Sequence, residues 1–148
     1  MSQLQLPVEL PRTKPTLALE SCADFFDRDY DTLVMDVENQ VIKYAWDIAA
    51  ADAARREIRI YAPSAWAFCY QKPMPNISEA TVYNFILPHR DIRSTELKRI
   101  LACSSDHIHD LKEHFVITRP PRQEDGPNSF SVFSRISIEN FLRLRRMS

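Results

Sequence analysis

The sequence predicts an α+β fold made of short helices and small hairpins, with its clearest unit at residues 91–148. Three observations predict it. Two short amphipathic helical stretches are separated by a hydroxyl-rich turn, two strand-like runs flank a Pro-rich loop, and a capped amphipathic helix closes the unit. With 148 residues and 45% hydrophobic composition, the chain can bury a core as one domain or two very small ones.

Charge is unevenly placed. Residues 1–90 carry 9 Lys and Arg against 12 Asp and Glu, whereas 91–148 carry 10 against 8, so a nucleic-acid surface is expected in the second half. No apolar stretch approaches the roughly 20 residues a membrane span needs. The N-terminal stretch around Pro7, Pro11 and Pro15 lacks an apolar signal core, so a cytoplasmic location is expected. Cys22, Cys69 and Cys103 are odd in number and widely spaced, which suits reduced thiols better than a disulfide framework.

In the second half, Thr95 to Leu101 follows Ser94 as N-cap and sets Leu97, Ile100 and Leu101 on one face. Ala102 to Ser105 form a turn whose serines can cap a second helix, Asp106 to about His114, with Ile108, Leu111 and Phe115 apolar. Val116–Thr118 suits a strand, Pro120 to Asn128 a loop, and Phe130 to Ile136 a return strand. Ser137 then caps a closing helix, Ile138 to about Arg146, with Ile138, Phe141, Leu142 and Arg145 on one face.

This order, with "ELKRILACSSDHIHDL" followed at a distance by "SRISIENFL", resembles the excisionase and MerR-like winged helix family over roughly the last third of the chain. The resemblance implies a winged helix-turn-helix with its second helix in the DNA major groove and its hairpin wing against the backbone. Carried over by position, the groove-facing residues are Ser105, Asp106, His109 and Lys112, with Arg119 and Arg122 at the wing and Arg135 on the return strand. Arg and Lys neutralise phosphates, Ser and His can bond to phosphate or base edges, and Asp106 repels phosphate unless it accepts from a cytosine amino group. Two positions depart from the family pattern. Phe115 stands where glycine commonly ends the second helix, and Ala102-Cys103 occupy the inter-helix turn.

The first half echoes this plan. Leu19–Phe26 and Thr32–Asn39 read as helices around the turn Asp27–Tyr30, Val41–Ile48 and Glu57–Tyr61 as strands, and Ser64–Phe68 as a closing helix. Cys22, Phe25 and Phe26 align with Leu97, Ile100 and Leu101 at a constant offset of 75, as does Ile42 with Ile117; Asp36 falls opposite Leu111, and Phe68 reaches Phe141 only at 73. Tyr70–Asn76 reads as a linker, and Ser78–Leu87 as a connecting helix stopped by Pro88, with Val82, Phe85 and Ile86 as its apolar stripe. The organisation expected is a degenerate winged-helix unit in 1–76, a connecting segment in 77–90 and a winged helix-turn-helix in 91–148.

The first unit's equivalent face holds Asp27, Asp29, Asp31, Asp36 and Glu38 around Arg28, which opposes phosphate. That unit is expected to contact protein or its twin, and the second alone to engage double-stranded DNA; two units in one chain can imitate a dimer, and the chain can also form a homodimer. Cys103, His107, His109 and His114 are close in sequence, but only Cys103 and His107 share a helical face, so no metal is expected. Trp46, Trp66, Phe68 and Tyr70 read as core aromatics, since no basic residues interleave with them as a base-stacking surface requires. Arg143, Arg145 and Arg146 suit either phosphate contact or the C-terminal end of a helix dipole. With one glycine there is no phosphate-cradling loop, and no nucleophile elbow or paired metal motif occurs, so neither enzymatic activity nor a cofactor is expected. The two readings carried are a DNA-binding transcriptional regulator or excisionase-like architectural factor, and a protein-interaction adaptor that kept the fold and lost the DNA surface.

Overall fold

Two stretches of the chain run through the same order of strand, helix, helix, strand, strand, helix. In the first, these are β1 (Thr16–Ala18), α1 (Leu19–Phe26), α2 (Tyr30–Glu38), β2 (Ala45–Asp47), β3 (Ile58–Tyr61) and α3 (Ala62–Cys69). A bridging helix, α4 (Glu79–Ile86), leads to β4 (Ile92–Arg93), α5 (Ser94–Leu101), α6 (Ser105–His114), β5 (Thr118–Arg119), β6 (Val132–Phe133) and α7 (Arg135–Leu144). This computed structural model describes residues 14–50, 53–73, 76–126 and 132–147, and among them the protein is α+β, with two small three-stranded antiparallel sheets. Parts of the expected linker (Met74, Pro75), the first hairpin loop (Ala51, Asp52), and the second loop and return strand (Pro127 to Ser131) lie outside the described residues, as does the N-terminal Pro7 and Pro11 segment.

In both sheets the last strand is central, with orders β1-β3-β2 and β4-β6-β5. Leu17 and Ala45 both lie opposite Ile60, and Ile92 and Thr118 both lie opposite Phe133. The offset of 75 holds through the paired helices and their turns. Asp27 and Ala102 end α1 and α5 in the left-handed region, at φ 52° and 50°. The next amide donates back into the helix each time, Arg28 to Ala23 at 3.0 Å and Cys103 to Lys98 at 3.1 Å. Asp29 and Ser104 then cap α2 and α6 by accepting from the N–H of Thr32 and His107. The match does not extend to Ile42 and Ile117, since Ile42 is fully buried and Ile117 is 69% exposed; Val116 fills the buried place in the second stretch.

Several boundaries differ from those the sequence suggests. Ser94 is the first residue of α5 rather than its cap; Arg93 is the N-cap, and the Glu96 carboxylate accepts from its N–H at 3.2 Å. Ser134, not Ser137, caps the closing helix, so the return strand is short and Arg135 belongs to α7 instead of the strand. Ser137 instead uses its hydroxyl to accept from the Ile117 N–H at 2.8 Å, tying α7 to the chain before β5. Phe115 ends α6 at φ −128° without a left-handed residue, and its ring packs on Phe141 at 5.3 Å, so the turn is held by apolar packing where the family pattern has glycine. On α4, Val82 and Ile86 are buried with Tyr83, whereas Phe85 is 53% exposed and stacks edge-to-face with Tyr61 at 5.3 Å.

The two stretches are locked together. One apolar cluster takes Tyr44, Trp46, Ile48 and Tyr61 from the first and Leu97, Phe133 and Ile138 from the second. Trp46 donates to the Tyr83 hydroxyl at 3.2 Å. The C-terminal end lies along β2, with Asp47 N–H donating to Arg145 and Met147 N–H to Ala45. At the α5–α6 turn, Thr16 donates to the Ile100 carbonyl at 2.5 Å and Arg59 to those of Leu101 and Ala102. The His107 ring bonds to the Ile48 carbonyl. No helix among the described residues is long and apolar enough to cross a membrane.

Candidate nucleic-acid interface

Helix α6 buries Ile108 and Leu111 and leaves Ser105, Asp106, His109 and Lys112 exposed. At about 100° per residue, Ser105, His109 and Lys112 fall in one narrow stripe, and Asp106, Asp110 and Glu113 in a second stripe roughly a quarter-turn away. The structure bears out this separation at the surface. Ser105, His109 and Lys112 line one groove of about 190 Å³ together with Ser94 and Lys98 of α5, over a floor of Ile108 and Phe133. No carboxylate lines that groove among the described residues. It presents hydroxyls, an imidazole and two ammonium groups, a donor set suited to an anionic, oxygen-rich partner.

The three arginines assigned to the wing have separate fates. Arg119 is held between two carboxylates, Asp91 at 3.0 Å and Asp125 at 2.8 Å, with its side chain only 21% exposed. That pairing holds the Asp125 carboxyl down to about 2, while Asp91 is lowered first by the Arg135 backbone N–H it accepts from and then by Arg119. Arg135 sits at the start of α7, donating to Glu139 at 2.5 Å, the Pro88 carbonyl at 2.9 Å and Asn84 at 3.0 Å. Arg122 alone of the three is open, its side chain 63% exposed and Glu124 3.8 Å away. The structure therefore brings Ser105, His109 and Lys112 together, leaves Asp106 and Arg122 exposed without placing Arg122 in that groove, and engages Arg119 and Arg135 in holding the fold.

Sequence reasoning missed Ser94 and Lys98, which share a face of α5 at i, i+4 and complete the groove. Their spacing was readable, but the direction of that face depends on how α5 crosses α6.

The remaining chemistry-bearing groups have structural partners. His109 lies 3.8 Å from Glu113 and His114 3.7 Å from Asp110, and His107 meets the Ile48 carbonyl, so the three imidazoles do not converge. Burial pushes the Cys22 thiol up to about 12 and that of Cys103 to about 11, which favours the protonated thiol at both. In the first stretch, the surface beside α2 is a groove that sets Glu20, Asp31 and Glu38 around Tyr30, Arg55 and Arg56, with Arg56 bound to Glu38 at 2.6 Å. Trp66 packs against the core and Arg28 lies over the Phe68 ring at 5.1 Å. Arg143 and Arg146 both reach Glu79, and Arg145 lies over Phe115, so the C-terminal cations contact aromatic rings and carboxylates of the protein. No known family model, curated protein or solved structure matches this chain, and the geometry of its surface stands by itself.

Proposed function

We propose that the chain is a DNA-binding protein of the winged helix-turn-helix type, built from two tandem units joined by α4. It acts without catalysing a reaction, as a transcriptional regulator or excisionase-like architectural factor, with α6 in the major groove. The observation that carries this reading is the groove between α5 and α6, where Ser94, Lys98, Ser105, His109 and Lys112 form a surface to which no carboxylate contributes among the described residues, on a helix whose acids lie to one side. The helix-turn-helix order of α5 and α6, and the short β5–β6 pair beyond it, support the same reading. Arg122 is the wing cation left to meet a phosphate. The acidic groove beside α2 suits the first unit to a protein partner.

A protein-binding adaptor is the second reading, favoured by the engagement of Arg119 and Arg135 in ion pairs and by the exposure of Ile117, Ile136 and Leu144. Fluorescence anisotropy with a random-sequence duplex pool, across a salt series, separates the two. Binding that weakens steeply as salt rises supports DNA binding and allows the preferred site to be selected from the pool; no binding at low salt favours the adaptor.

A further inference from the structure

A second groove, of about 700 Å³, lies between α1 and α5, where the two halves of the chain meet. Lys14, Lys98 and Arg99 line it with Ser21 and Thr95, over an apolar floor that includes Leu17. Among the described residues no Asp or Glu lines it, and Lys14, Lys98 and Arg99 have no ion-pair partner. Lys98 lines both this groove and the one on α6, so the two are joined at a single side chain.

We propose that the DNA backbone flanking the major groove leaves α6 across Lys98 and runs into the α1–α5 groove, where Lys14 and Arg99 hold further phosphates. The inference rests on the DNA-binding reading above and adds the path of the strand. It gives the first unit a direct part in binding, through Lys14 at its N-terminal edge, although its own α2 surface is acidic. It also supplies the phosphate contacts that Arg119 and Arg135 cannot make while they are paired within the protein. Continuity favours a strand over a small anion: one phosphate-sized ligand would need one pair of cations, whereas here cations follow one another from Lys112 through Lys98 to Arg99 and Lys14. The hydroxyls of Ser94, Ser105, Thr95 and Ser21 lie along the same path and can donate to phosphate oxygens.

The test uses the full-length chain, the selected duplex and the variants Lys14→Gln, Arg99→Gln and their double, with Lys112→Gln and the exposed Lys43→Gln for comparison. Each lost phosphate contact lowers the slope of log affinity against log salt by about 0.9, which is roughly 8-fold in affinity at 0.1 M salt. The double variant is therefore expected to lose about 1.8 in slope with its site preference and Tm unchanged, while Lys43→Gln behaves as wild type. A folded double variant with wild-type affinity and slope, beside a weakened Lys112→Gln, would overturn the strand path and leave the DNA-binding reading intact. Failure of the unaltered protein to bind duplex at low salt would overturn both. Tighter binding of inorganic phosphate than of duplex, abolished in the double variant, would replace the strand with a small-anion site.

Discussion

Arg59 on β3 donates its Nε–H to the carbonyl oxygen of Leu101, 42 residues away, at 2.7 Å. Its Nη2 reaches the Ala102 carbonyl at 3.0 Å, and the whole residue is only 5% exposed. The last carbonyls of a helix have no partner within it, and here a side chain from the first half satisfies two of them. Arg59→Met keeps the apolar stem but leaves both carbonyls unpaired, and should cost about 2–4 kcal/mol in urea unfolding. Arg59→Lys should recover only part of that, because an ammonium lacks the planar fork that spans both oxygens. A loss below about 1 kcal/mol for the methionine variant would show that the carbonyls find water instead.

Ala102 adopts φ 50° and ψ 53°, a conformation that disfavours a residue bearing a Cβ. Ala102→Gly should stabilise the protein by about 0.5–1 kcal/mol, the relief of that crowding less the added entropy of the unfolded chain. Asp27 holds the equivalent turn at φ 52°, and Asp tolerates this region better than Ala, so Asp27→Gly should gain less. Thermal melts of both variants check the order. A greater gain at Asp27 would mean that the two turns differ in their surroundings more than in their backbones.

Acid should weaken the fold as pH falls below the ordinary carboxylate range. Arg90 and Arg93 around Glu96 hold its carboxyl down from 4.5 to about 2. A carboxyl depressed in the folded state contributes its full stabilisation above the unfolded value and loses it as pH falls through the folded one. Tm is therefore expected to fall between pH 4.5 and 2, with Asp125 contributing over the lower part of that window. Glu96→Gln should lower Tm at pH 7 and flatten the fall; an unchanged acid profile would place the sensitivity at other carboxylates.

How much of this was legible depended on the range over which the determining forces act. Leu19–Phe26 emerges as a helix at its expected bounds because local spacing and the Asp27 turn define it. The two-residue β4 and three-residue β1 gave no sequence signal, since strands so short have no alternation to read and form only because β6 and β3 lie beside them. Ser134 and Ser137 are equally good caps locally. The choice was made by Asp91, which accepts the Arg135 N–H, and by Ile117, which takes the Ser137 hydroxyl as its acceptor. The site divided in the same way: the Ser105, His109, Lys112 stripe follows from helical period alone, whereas the withdrawal of Arg119 and Arg135 needs, beside the nearby Asp125 and Glu139, partners 28 to 51 residues distant.

Arg119 should therefore behave as a structural residue. Arg119→Gln removes the cation shared by Asp91 and Asp125 and leaves those carboxylates to repel each other, so Tm should fall by several degrees. Arg122→Gln should leave Tm nearly unchanged, because its side chain meets Glu124 only loosely, at 3.8 Å and exposed to solvent, and should instead weaken duplex binding by about one phosphate contact. If the effects were exchanged, with Arg119 changing affinity and Arg122 stability, the ion pairs would have to open on DNA.

The two halves should unfold as one. Trp46 is 1% exposed, yet the hydroxyl it donates to is that of Tyr83 on α4, and it shares a core with Leu97, Phe133 and Ile138. Its backbone also pairs with Arg146 at the other end of the chain. A boundary drawn in the segment 77–90 would thus cut through a core rather than between two cores, uncovering the indole on one side and the α5 end on the other. Urea transitions followed by tryptophan emission and by far-UV circular dichroism should coincide, and Trp46→Ala should cost about 3–5 kcal/mol through the cavity it leaves. The fragment 91–148 should show no cooperative melt. A sharp transition in that fragment would mean instead that the second unit supplies its own stability and that the shared core only orients the two.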